Sequence, residues 1–132
     1  MKVKFFINQS QEDEGFEIID FHAAILSKTL ENSEVKYWTE AAYFIILIST
    51  PADAYRYLDL IRFYKSVKLV DRFELTLCNG VKAIIENHSI KCKRAFCDSY
   101  EDQIDLDLFE KIISKWIDYL QGVNKETVVF EL

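Results

Sequence analysis

The sequence predicts an α+β fold: a single mixed or mainly antiparallel sheet packed by about three helices, in the order β-α-β-α-β-β-β-α-β. Three observations predict it. Two alternating apolar runs flank Asn79-Gly80, the strongest short hairpin signal, because both turn residues need positive φ. Several segments carry apolar residues at helical spacing, two of them behind capping-type residues. The chain has 132 residues, half of them hydrophobic, with three Gly and one Pro. That suits one domain over 1–132 with a sizeable core and little linker.

Lys2 to Asn8 reads as the first strand, and Asn8 to Gly15 as a polar turn. A helix is expected near Glu14 to Leu30, where Phe16, Ile19, Ala23, Leu26 and Leu30 form a stripe. Tyr43-Phe44-Ile45-Ile46-Leu47-Ile48 is apolar on both alternating faces and reads as a central strand. Ser49-Thr50-Pro51 offers a hydroxyl cap followed by Pro at the first helical position, so a helix should run to about Ser66.

Phe73 to Cys78 and Val81 to Glu86 form the hairpin; Asn87-His88-Ser89 makes a second turn, and Ile90 to Cys97 a third meander strand. Ser99 and Asp102 stand at capping-box spacing before a last helix. Its rows are Ile104, Leu108, Ile112 and Trp116, broadened by Phe109, Ile113 and Leu120, with Gly122 as C-terminal cap. Glu126 to Leu132 reads as a closing strand, with Val128 and Phe130 on one face.

Three glycines, at 15, 80 and 122, exclude Gly-rich phosphate loops. His88, Cys92 and Cys97 match no standard zinc spacing, and no metal or other cofactor is expected. The only histidines, His22 and His88, sit in no local signature for activating a Ser or Cys nucleophile. No segment reaches the ~18 apolar residues of a membrane helix. Three cysteines, an odd number, with no visible secretion signal, point to reduced thiols and a cytoplasmic, soluble protein.

The net charge is −6, which opposes nucleic-acid binding and would steer a basic partner inward. The charge is unevenly spread. Residues 1–59 carry −5, residues 60–97 carry +5 and residues 98–132 carry −6. The densest block holds six acids and no base: Asp98, Glu101, Asp102, Asp105, Asp107 and Glu110. Two or three of them suit a helix N-terminus. The rest form a candidate acidic surface, with Tyr100 as a possible anchor. Tyr55, Tyr57, Phe63 and Tyr64 fall around one helix, so some of them must face outward or meet a partner.

In length, acidity and strand–helix rhythm the chain resembles the small immunity proteins of bacterial polymorphic and contact-dependent toxin systems. That resemblance implies a non-enzymatic binding module that neutralises a cognate basic toxin, often a nuclease. The expected partner-binding residues are Asp98, Tyr100, Glu101, Asp102, Asp105, Asp107 and Glu110. One alternative is a small enzyme or ligand-binding domain with a pocket between sheet and helices, its candidates being His22, His88 and Cys78. Another is a structural subunit or homodimer, which would present a large apolar surface.

Overall fold

The first strand pairs with the very segment that reads as a helix. β1 (Lys2–Gln11) runs antiparallel to β2 (Ile18–Thr29), from Lys2 opposite Ser27 to Gln11 opposite Ile18. The helical stripe in this segment arises because apolar residues fill both parities of the strand. Leu26 is buried while its neighbour Ile25 is exposed, the alternation of a strand. Pairing with β1 runs over ten consecutive residues and takes up the N–H and C=O groups of alternate ones, and this tertiary gain overrides a weak local period. The computed structural model describes residues 1–11, 18–67, 71–76, 81–94, 101–122 and 126–132.

A second correction concerns Tyr43 to Ile48. After the short strand β3 (Val35–Tyr37), residues Thr39–Leu47 form helix α1. Ala41, Ala42, Phe44 and Ile45 are all buried, so the helix is apolar nearly all round. A short element buried on most sides shows no usable period, and a strand and a helix then read alike. Helix α2 (Pro51–Val67) starts where expected, with Thr50 Oγ1 accepting from the Asp53 N–H at 3.2 Å.

The meander is β4 (Arg72–Thr76), β5 (Val81–Glu86) and β6 (Ser89–Arg94), each antiparallel to the next. The Asn79-Gly80 turn lies outside the described residues. The β5–β6 turn is Asn87-His88, both with positive φ (51° and 59°), between the paired Glu86 and Ser89. A further strand, β7 (Glu101–Asp105), takes the place of the expected helix start and pairs with β6. Helix α3 (Leu106–Gln121) therefore begins after Asp105, which is its N-cap in place of the Ser99–Asp102 box; Ser99 lies outside the described residues. Gly122 is its C-cap, in extended backbone, with its N–H on Tyr119 O at 3.2 Å. The closing strand is β8 (Val128–Glu131).

The fold is thus α+β, but with two four-stranded antiparallel sheets in place of one. One has the order β3-β2-β1-β8 and the other β4-β5-β6-β7. Helix α1 touches β2 and also β5, β6 and β7; α3 touches β1, β6 and β7 and packs on α2. Both helices therefore hold the two sheets to one core. Val3, Phe5 and Leu26 face it from one sheet, and Val81, Ala83, Ile85, Ile90, Cys92 and Ile104 from the other. Trp116 of α3 lies fully buried with its ring 4.9 Å from Phe5. Its Nε1–H donates to Ile48 O at 2.8 Å, which satisfies a carbonyl at the end of α1.

Candidate functional site

Because Glu101–Asp105 is a strand, its side chains alternate, and the acidic block is split between two faces. Glu101 and Asp105 are exposed on the outer face. Asp102 turns inward, where its Oδ2 accepts the N–H of Glu40 at 2.6 Å and of Ala41 at 3.0 Å. The residue before α1, Trp38, offers no side-chain cap. Asp102 therefore satisfies first-turn donors of α1 from 62 residues away. Beside it, buried Glu40 accepts from Arg94 Nε at 2.9 Å, and the Arg94 guanidinium lies over the Tyr43 ring.

The rest of the block belongs to α3. Asp105 Oδ2 accepts the Leu108 N–H at 3.1 Å, capping the helix. Asp107 and Glu110 face α2, which runs antiparallel alongside. Glu110 accepts from Arg62 Nε at 3.0 Å and from Lys65 Nζ at 2.7 Å. Asp107 also accepts from Lys65, and its second oxygen lies 2.9 Å from His88 Nε2. Lys65 and, after it, His88 hold the Asp107 carboxyl down at about 2. Glu110 is lowered chiefly by Lys65, and the same contacts raise Lys65. Lys91 approaches Glu101 at 4.0 Å. Asp98 and Tyr100 lie outside the described residues. Within them, the predicted acids form no single face: Asp102 and Asp105 hold helix ends, and Glu101, Asp107 and Glu110 sit beside bases.

Asp107 and Glu110 border a groove between α2 and α3 of about 460 Å³, with Arg62, Lys65, Lys111 and Ser114 as its other walls. The outer face of α2 rises next to it. Tyr57 is buried and Tyr64 half-buried, with its O–H donating to Asp71 O. Tyr55 and Phe63 point outward, 46% and 64% exposed. They sit at positions i and i+8 with exposed Asp59 at i+4, so the three form one helical stripe. Arg56 and Arg62 flank it, and Gln121 Nε2 of α3 donates to the Tyr55 oxygen at 3.4 Å. The sequence shows four aromatics on this helix; only tertiary packing, such as Tyr57 against Phe44 of α1, decides which two are left in water.

Catalytic and metal-ligating candidates gather less. His22 is half-buried, with Nδ1 3.2 Å from the Tyr119 hydroxyl and its ring edge-on to Trp116. Cys92 lies in the core, where burial pushes its thiol pKa up and suppresses the thiolate that nucleophilic chemistry needs. Cys78 and Cys97 lie outside the described residues. His88, Asp105 and Asp107 bring ligand atoms within 4.8 Å of one another, all exposed. Their hydrogen bonds to Lys65, to Leu108 and to each other account for this grouping. A second groove, of about 300 Å³, runs between β2 and α1, with Ile25, Leu26, Tyr37, Trp38, Ala42 and Tyr43 among its walls. Among the described residues no helix is long and apolar enough to cross a membrane. Comparison with protein-family models, with curated proteins and with solved structures finds no match.

Proposed function

We propose that this chain is a non-enzymatic protein-binding module that neutralises a cognate basic protein, in the manner of an immunity protein set against a nuclease-type toxin in the cytoplasm. The observation that carries the reading is the α2 ridge, where Tyr55 and Phe63 hold aromatic rings in water between Arg56 and Arg62. Aromatic and Arg side chains are the groups that protein interfaces concentrate and that carry most binding energy when desolvated. Exposed Asp59 within the stripe and exposed Asp118, one turn from Gln121, offer carboxylates to a basic partner, while Asp107 and Glu110 across the groove are already held by Lys65, Arg62 and His88. The net charge of −6 adds long-range attraction that speeds encounter. In this reading Asp102, Asp107 and Glu110 of the acidic block serve the fold.

Affinity capture from the native cell tests the reading, comparing the wild type with a Tyr55→Ser, Phe63→Ser double variant. A basic protein held by the wild type should be lost roughly tenfold or more from the variant, equivalent to ~1.4 kcal/mol or more. Equal recovery would remove the ridge as the binding face. Capture only of acidic proteins would remove the basic partner.

A further inference from the structure

Strand β2 is 12 residues long, but β3 pairs with only three of them, Ser27 to Thr29. Directly beyond, the Trp38 N–H donates to Leu26 O at 3.0 Å, and the chain then leaves the sheet as α1. That bond fixes which way the main chain of β2 points. A strand residue directs its N–H and C=O to one side, and the side alternates along the chain. Leu26 faces β3, so Ala24 faces the same way. Among the described residues Ala24 has no main-chain partner on that side. Sheet edges are commonly blunted by charge or left to water. This one borders an apolar groove of about 300 Å³ instead. Ala42, Tyr43 and Ile46 of α1 form its far wall, and Trp38 stands at its β3 end.

The β3 end is also basic. Lys28 lies directly opposite Lys36, on the face that Ala24 and Leu26 share. Both lysines are exposed, and neither makes an ion pair. The Lys36 ammonium lies 4.8 Å from the centre of the Trp38 ring. Like charges directly opposite each other on a sheet cost stability. Arg94, by contrast, lies over the Tyr43 ring and is balanced within the fold by Glu40. Two lysines of a chain carrying −6 therefore stand here without a counter-charge.

The geometry points to strand addition: an extended segment of a partner protein, apolar at alternate positions and acidic at the end that meets β3, pairs with β2 at Ala24. It lies in line with β3. Its main chain takes the N–H and C=O of Ala24. One set of alternate side chains drops between β2 and α1, and its carboxylate meets Lys28 and Lys36. In this mode main-chain pairing supplies affinity, and the side-chain slot supplies choice. An extended acidic segment is the occupant that uses all three features. A compact apolar ligand fills the groove but leaves the Ala24 main chain and the lysines unused, and a basic segment meets like charge. The site is separate from the α2 ridge and does not rest on the partner reading.

Selection from a random peptide display library on the full chain tests this. Enriched peptides should alternate apolar residues and carry Asp or Glu at one end. Addition of an enriched synthetic peptide to the wild type should slow hydrogen exchange of the Ala24 amide, read by NMR, by about tenfold or more. Ala24→Pro should weaken that peptide by roughly tenfold or more, because it removes the donor. β1 does not use this N–H, so circular dichroism of the variant should be unchanged. A Lys28→Glu, Lys36→Glu variant should bind the peptide several-fold more weakly, and Tyr55→Ser, Phe63→Ser should bind it like wild type. The proposal is overturned by a library that enriches nothing, by a basic consensus, or by binding that the ridge variant loses. Full binding to a folded Ala24→Pro variant overturns it too, as does an Ala24 amide that exchanges equally fast with peptide bound. The amide readout uses the wild type, so it decides the question whether or not the Pro variant folds.

Discussion

Replacing Asp102 with Ala removes the acceptor that closes the first turn of α1. Two N–H groups, at 2.6 and 3.0 Å from Asp102 Oδ2, lose their partner. Glu40, which donates one of them, is 4% exposed, so water replaces the carboxylate poorly. Loss of a cap costs about 1 kcal/mol, loss of an anion from a helix N-terminus about 0.5, and a poorly solvated N–H about 1. Glu40 and Asp102 are both acidic and act on the same Cys92 thiol; relief of their mutual repulsion offsets part of this. The net expectation is about 2 kcal/mol, or a fall in Tm of about 6–8 °C for a chain of this size. Thermal and urea unfolding followed by far-UV circular dichroism measure it, with an unchanged urea slope showing that the same surface unfolds. Asp102→Asn keeps one acceptor oxygen and should lose roughly half as much. A loss below about 0.5 kcal/mol for Asp102→Ala would refute the capping role and return Asp102 to the candidate partner surface.

The α2–α3 network makes a pH prediction. Asp107 and Glu110 titrate below their ordinary values in the folded chain, so their contribution is fully present above the ordinary carboxylate range and is lost as pH falls from about 4 to about 2. In Lys65→Met that acid limb should be shallower than in wild type, and coincident stability–pH curves would refute the assignment. Cys92 makes a chemical one. A brief iodoacetamide pulse followed by peptide mapping should leave it unmodified in the native chain and alkylate it after unfolding; native-state labelling at the rate of an exposed thiol would contradict its burial.

How legible each element was depended on where its determinants lie. The start of α2 is written in Thr50 and Pro51, within one turn of chain, and the sequence locates it. β5 is likewise readable, because alternation and turn residues are local. β2 and α1 were misread for the same reason from opposite directions. Each is rich in apolar residues on more than one face, so neither shows its period. What resolves β2 is the register with β1 across ten residues; what resolves α1 is burial on most sides and the carboxylate of Asp102. The acidic block read as one surface because its spacing along the chain is dense. It becomes several things once Glu101 to Asp105 is extended, since a strand sends successive side chains to opposite faces.

The sequence by itself determined the α+β class, the absence of Gly-rich phosphate loops, the net charge of −6, the α2 start and the meander hairpins. All of these follow from composition or from residues within one turn of each other. Tertiary structure alone decided that there are two sheets, that Asp102 serves α1, that Lys65 and Arg62 meet Asp107 and Glu110, and that Tyr55 and Phe63 remain in water. The physical reason is distance. These contacts join residues tens of positions apart, and which side chain is left exposed depends on what packs against its neighbours.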